Sequence, residues 1–266
     1  MDGVKHIIAV ASGKGGVGKS TVTVNLALAL AAQGYRVGVL DADIYGPSQA
    51  QMLGVKEGTR PQAASNDKFL PLQAHGIQAM SMAFMVNTRE PMVWRGPMVV
   101  GAFQQMLTQT QWDNLDFLLI DMPPGTGDIQ LTLAQKVPVA GAVIVTTPQD
   151  IALLDARKGI EMFRKVNVPV LGVVENMSLY HCEKCGHEAA IFGTGGGDNI
   201  AQEYDTQVLG RLPLTLSIRE LTDSGRPSVV SEPDGAVSQT FATIAQKVAE
   251  AVSANQGDGP TISFSE

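Results

Sequence analysis

The chain predicts an α/β fold, a mostly parallel central sheet with helices on both faces. Short, near-continuous aliphatic runs recur along its 266 residues, which is the pattern of strands buried on both sides. Segments with helical spacing alternate with these runs, as the crossovers between parallel strands require. Only 5% of the residues are aromatic and 44% are hydrophobic, so the core is expected to be aliphatic. No internal repeat or linker divides the chain, and residues 1–254 read as one domain.

The first run, KHIIAVAS from Lys5, ends in glycines and reads as a buried strand. STVTVNLALALAAQG follows with helical spacing, and Gly34 stands where a left-handed residue closes a helix. YRVGVLDAD is a second buried strand that closes in carboxylates. From Gly54 to His75, with Pro61 and Pro71 and few apolar repeats, the chain reads as an excursion. Further strands are expected in IQAMSMAF, FLLIDMPP, GAVIVTTP, VPVLGVVENM and QVLGRLPL. Between them, helical spacing runs over about 97–110, 128–136, 149–166 and 197–205. A last helix, AVSQTFATIAQKVAEAVSA, precedes a polar ending over 255–266 that reads as a disordered tail.

Charge and composition exclude several function classes. The net charge is −7, and the basic residues cluster no further than pairs such as Arg157-Lys158. A nonspecific nucleic-acid binder needs a basic stripe, so no nucleic-acid partner is expected. No apolar run has the length of a bilayer span, and MDGVKHIIAV is not a signal peptide. The acidic, polar ending is not a basic amphipathic membrane helix, so no membrane partner is expected either. Two cysteines make no disulfide framework, which points to the reducing cytoplasm.

The clearest motif is GKGGVGKST, which satisfies G-x-x-x-x-G-K-[ST] between a predicted strand and a predicted helix. Gly13, Gly15, Gly16 and Gly18 let the backbone turn tightly and aim successive N–H groups at phosphate oxygens. The positive end of the following helix adds to that anion site. Lys19 is expected to reach the β- and γ-phosphates and the Ser20 hydroxyl to bind Mg²⁺, while Lys14, Val17 and Thr21 complete the nucleotide-binding segment. A glycine-rich turn with no ligand is the alternative, and the flanking strand and helix weigh against it.

Three carboxylates strengthen the site. Asp121 closes FLLID, where a carboxylate holding a magnesium-bound water belongs. Asp41 and Asp43 close the second strand, at the edge where ligands bind in such sheets. One strand-end Asp alone could simply cap the next helix. Lys14 is one lysine more than a P-loop needs. It is either a solvated charge or a group that reaches a phosphate across a subunit interface, like an arginine finger in trans.

Both cysteines lie in LYHCEKCGHEAAIFG, as Cys182 and Cys185. They could be two ordinary reduced thiols, a redox dithiol, or half of a four-thiolate metal site. A redox pair belongs at a helix start in an apolar setting, and Glu183 between them opposes thiolate formation. His181 and His187 stand too close to the cysteines for zinc-finger spacing.

GKGGVGKST with its extra lysine, DADIYGPS, LLIDMPPGTGD and VVENMS together resemble the deviant-Walker-A ATPases, a group that includes MinD and ParA. DADIYGPS, MPPGTGD and the cysteine pair are most similar to the Mrp/ApbC branch, the iron–sulfur cluster carrier proteins. The likeness runs from Lys5 to about Val252. It implies a P-loop NTPase fold of the SIMIBI type. It further implies that Lys14 touches nucleotide across a face-to-face dimer, Asp43 orients the attacking water, Asp121 is the Walker B carboxylate and Asn176 reads the adenine. Many bacterial members carry a small domain before the first strand, which is expected to be absent here.

A symmetric dimer would also bring the cysteine pair to its own copy. Two C-x-x-C loops on a two-fold axis supply four thiolates, which suit a [4Fe–4S] cluster or a tetrahedral zinc. The resemblance favours the cluster, handed to apo iron–sulfur client proteins and exchanged with scaffold proteins. A zinc-bridged regulatory ATPase dimer and a MinD/ParA-like positioning ATPase are the competing readings.

Overall fold

The computed structural model describes residues 3–64, 68–84, 96–182 and 184–255. In chain order the first elements are β1 (Val4–Ala11), α1 (Lys19–Ala32), β2 (Val37–Asp41), α2 (Gln49–Met52), β3 (Leu72–Ala74) and β4 (Ile77–Ser81). Then come α3 (Gly96–Gln109), β5 (Leu115–Asp121), α4 (Asp128–Lys136), β6 (Gly141–Thr146), α5 (Asp150–Lys165) and β7 (Val170–Glu175). A small hairpin of β8 (Tyr180–His181) and β9 (Glu188–Ala189) leads to α6 (Gly196–Glu203) and β10 (Val208–Arg211). The chain continues through α7 (Leu216–Asp223), α8 (Ser228–Ser231) and α9 (Ala236–Asn255).

The main sheet runs β10-β7-β6-β1-β5-β2-β4-β3, and every pairing is parallel except that of β3 with β4. The strand order explains why both faces are covered. The crossover from β1 to β2 moves one way along the sheet, whereas those from β5 to β6 and from β6 to β7 move the other way. Right-handed crossovers therefore set α1 on one face and α4 and α5 on the opposite face. α9 returns to pack against α1. The resulting core is aliphatic with a few large rings: Ile8, Leu26, Leu40, Leu118, Phe163 and Phe241 are fully buried.

Elements with strong periodicity fall where the sequence places them. α4 spans Asp128–Lys136, and α1 ends just before Gly34, whose φ of 91° is the left-handed conformation expected there. The expected excursion over 54–75 is corrected in part. Its end forms β3, antiparallel on β4, and Phe69 bridges Ala63 and Thr110, so the segment runs along the sheet edge. IQAMSMAF is strand only as far as Ser81, after which Met82–Phe84 make a 3₁₀ turn. Four-residue pieces such as α2 and α8 are too short to show a period. Residues 256–266 of the expected tail lie outside the described residues.

Candidate functional site

The glycine loop follows β1, and its shape is dictated by two close neighbours. A Cβ on Gly13 would sit 2.0 Å from the Asp155 carbonyl oxygen of α5, and one on Gly18 would sit 2.2 Å from Asn176 Nδ2. Gly16 and Gly18 are also left-handed, with φ of 81° and 84°. Val17 is buried and pins the loop, while Gly15 and Gly16 are exposed at its tip. α1 then starts at Lys19 with no side-chain cap and no acidic residue in its first turn. Its leading N–H groups therefore remain for an anion. A cavity of about 220 Å³ opens here, lined by Ser12, Gly16, Lys19, Ser20, Thr21 and Asp43 among others.

Behind the loop lies a dense polar cluster. Lys19 Nζ sits 2.5 Å from Asp121 Oδ1, 3.2 Å from Ser20 Oγ and 3.9 Å from Asp43 Oδ2. The Thr23 hydroxyl donates to Asp121 Oδ1 at 3.2 Å, and Gln49 Nε2 donates to Asp121 Oδ2 at 2.9 Å. Parallel pairing sets Asp41 directly beside Asp121 on the neighbouring strand.

Asp41 and Asp43 have different surroundings. Asp41 is wholly buried and holds the following loop from behind: it accepts from the Asp43, Ser48 and Gln49 amides and from the Ser81 hydroxyl. Burial, and then the charge of Asp121, raises its pKa to about 7. Asp43 lines the cavity. Burial raises its pKa too, and the Lys19 ammonium opposes that shift. Asp41, expected among the nucleotide-binding residues, thus stands one layer behind the cavity that Asp43 enters.

Lys14 is half-exposed at the turn, and its ammonium makes no ion pair among the described residues. Asn176 follows β7 and is buried against the loop. Its Nδ2 donates to the Val17 carbonyl at 2.9 Å, and its Oδ1 accepts from the Met177 amide at 3.0 Å. Gln49, Thr23 and Ser81 carry no signal in the sequence, being isolated polar residues in apolar or irregular stretches.

Cys182 and Cys185 occupy the turn of the β8–β9 hairpin. The Cys182 amide donates to the His187 carbonyl at 3.0 Å, and the Gly186 amide returns to the Cys182 carbonyl at 2.8 Å. This fold aims the Cys185 and Lys184 amides at the Cys182 sulfur, which lowers its thiol pKa, and the Cys185 thiol adds to the effect. N–H groups that favour a thiolate also favour a metal-bound thiolate. His181 Nδ1 lies 3.7 Å from Glu188 Oε1 across the hairpin. No group of three or more His, Cys, Asp or Glu side chains placed to hold a metal ion occurs among the described residues. Glu183 lies outside those residues.

The hairpin and the glycine loop share one segment of chain. From Asn176 it passes through Met177, held at a left-handed φ of 56°, to Ser178 and Leu179. These bond to Leu212 and Leu214 beside β10, and Tyr180 then enters the hairpin.

A glycine cradle at a helix start, with lysine and strand-end carboxylates around it on the carboxyl edge of a parallel sheet, defines a P-loop nucleotide-binding protein. The family model described as ParA, NUBPL iron-transfer P-loop NTPase, matches residues 3–249. An iron–sulfur cluster carrier protein of Pseudomonas fragi is 62% identical over 242 residues, 91% of this chain and 84% of that protein. The mouse iron–sulfur cluster transfer protein NUBPL is 53% identical over 250 residues, 93% of this chain and 78% of that protein. A nucleotide-binding protein of Archaeoglobus fulgidus, solved with ADP, superposes with a TM-score of 0.77 at 37% identity, over 90% of this chain and 93% of that one. The chain belongs to this ParA-type family of iron-transfer P-loop NTPases. No helix among the described residues is long and apolar enough to cross a membrane.

Proposed function

We propose that this chain is an ATP-binding and ATP-hydrolysing homodimeric carrier that holds a bridging [4Fe–4S] cluster and passes it to apo-proteins in the cytoplasm. One observation carries the reading. A single chain presents only two thiols, on an exposed hairpin whose amides favour the Cys182 thiolate, and that hairpin continues directly from Asn176, which holds the P-loop.

The residues present fit a nucleotide. The loop amides and the uncapped start of α1 suit phosphates, and Lys19 has only to exchange Asp121 for a phosphate oxygen. They also fit Mg²⁺, because Ser20 offers a hydroxyl and Asp121 a carboxylate within one cluster. Bound there, the cation would neutralise charge on the β- and γ-phosphates. Asp43, which lines the cavity, would orient the attacking water, and Lys14 of a second copy would stabilise the developing charge. Asn176 is the residue through which the adenine would be felt at the hairpin.

Dimerisation is supported by exposed apolar side chains around the same edge. Ile151 and Leu154 stand 69% and 56% exposed on α5, the helix that packs on Gly13, and Tyr45 of the Asp43 loop is 61% exposed. Covering them in a symmetric pair would remove apolar surface from water and bring the two hairpins together. Nucleotide state would then alter how tightly the cluster is held, a coupling between sites on one interface. Apo iron–sulfur clients and scaffold proteins are the partners this implies, with no role for nucleic acid or membrane.

Anaerobic purification with an absorbance spectrum, iron, sulfide and zinc analysis, and mass in solution tests the reading. Iron and sulfide in equal amounts on a dimer, lost in Cys182→Ala, is the expected result. Zinc without sulfide would overturn the cluster and favour the regulatory zinc dimer.

A further inference from the structure

Gln49 opens α2, is 1% exposed, and carries no role in the scheme above. Its backbone amide donates to Asp41 Oδ2 at 3.0 Å. Its side-chain Nε2 donates twice, to the Ser20 carbonyl at 3.0 Å and to Asp121 Oδ2 at 2.9 Å. Both of those neighbours can only accept, so the orientation of the amide is fixed: turned over, it would set oxygen against oxygen. The consequence is that Gln49 Oε1 is buried with no donor. Buried acceptors are normally satisfied, and leaving one unmade costs the desolvation of that group.

The orphan oxygen belongs to the same small amide that already binds the Mg²⁺-side residue Ser20 and the carboxylate Asp121. The donor it lacks is one that a hydrated cation held by Ser20 and Asp121 would bring. The same residue also ends the loop that carries Asp43, since Asp41 grips the Asp43 amide at one end and the Ser48 and Gln49 amides at the other.

We propose that Gln49 is a positioning residue of the metal–nucleotide site. It fixes Asp121 against Ser20 through Nε2, accepts a hydrogen bond from cation-bound water at Oε1, and so ties occupation of the metal site to the loop bearing Asp43. This rests on the reading of the cavity as a Mg²⁺–nucleotide site.

The test compares full-length wild type with Gln49→Met, which keeps the volume and removes both polar atoms, after circular dichroism and melting show that it folds. Nucleotide affinity is titrated in Mg²⁺ and in EDTA, and Mn²⁺ binding in the presence of ADP is followed by electron paramagnetic resonance. The gain in affinity that Mg²⁺ gives the wild type should shrink by about ten-fold, the loss of one hydrogen bond to a charged group. Mn²⁺ binding should weaken in parallel, and affinity in EDTA should stay near wild type. An unchanged Mg²⁺ gain, or an equal loss with and without metal, would make Gln49 a structural clamp only and overturn the proposal. If Gln49→Met does not fold, Gln49→Asn, which keeps the amide but withdraws it, is read in the same way. Wild type without any Mg²⁺-dependent gain would bring down the nucleotide-site reading itself, and this proposal with it.

Discussion

Lys19 and Asp121 are locked together, 2.5 Å apart, with Lys19 6% exposed and Asp121 not at all. The lysine expected to hold phosphate is thus held by the carboxylate expected to serve Mg²⁺. On the proposed reading, phosphate entry would break this contact, and a cation beside Asp121 would replace the charge that Lys19 withdraws. The pairing keeps two buried charges compensated until the ligand arrives.

Removing one partner should therefore cost stability first in the empty protein. Asp121→Asn leaves Lys19 buried without its carboxylate, a change worth about 3–5 kcal/mol for a buried pair. Thermal unfolding without nucleotide should drop by several degrees, and saturating ATP should narrow the difference because phosphates supply new charge for Lys19. Equal destabilisation with and without ATP would mean that Lys19 never leaves Asp121.

Lys14 offers a test of the dimer that needs no cluster. Lys14→Ala should bind ATP in one chain nearly as well as wild type, yet lose turnover by about 10³-fold if the lysine acts in trans. Mixing it with Asp43→Asn is the decisive measurement. Random pairing makes half of the dimers mixed, and each mixed dimer rebuilds one complete site from two defective chains. Activity should return to roughly a quarter of wild type. No recovery on mixing places Lys14 in its own chain's site, or outside catalysis.

The sheet, the glycine loop and its lysines were legible because each depends on local pattern: aliphatic runs, helical spacing and a motif fixed by its flanking elements. What α2 contributes was not legible. Gln49 matters because β2 and β5 lie side by side and set Asp41 and Asp121 within reach of one short helix, a relation between distant segments. Asn176 was reached from the sequence only through resemblance, and its bond to Val17 spans 159 positions. The strands of the hairpin around Cys182 are only two residues each, too short to show alternation, so the pattern of LYHCEKCGHE showed the pair but not the turn that aims amides at the Cys182 sulfur.

Asp41 predicts a pH dependence of unusual sign. Its pKa rises from 3.8 in the unfolded chain to about 7 in the fold, so the folded state binds the proton more tightly. Its contribution to stability is present below the unfolded pKa and is lost as pH climbs through the window up to about 7. A normal paired carboxylate such as Asp116, held below its usual value by Lys5, acts in the opposite direction and only at more acid pH. Denaturation midpoints should therefore decline from about pH 4 to 7 in wild type, and the decline should flatten in Asp41→Asn. An unchanged slope in that variant would place the proton elsewhere, Asp43 being the first alternative.

Asn176→Ala probes the link between the two ends of the site. The substitution takes the donor from the Val17 carbonyl and frees the Met177 amide, while the hairpin keeps its own bonds to Leu212 and Leu214. Nucleotide affinity should fall by about ten-fold, the scale of one buried hydrogen bond in a binding loop. The sharper expectation concerns coupling. In wild type, ATP should change the rate at which a chelator strips the reconstituted cluster, read as decay of its visible absorbance. In Asn176→Ala at saturating ATP that change should largely vanish, because the segment that runs from the P-loop contact to Cys182 begins at Asn176. A variant that binds ATP weakly yet keeps the full ATP effect on cluster loss would show that the signal travels through the dimer interface instead.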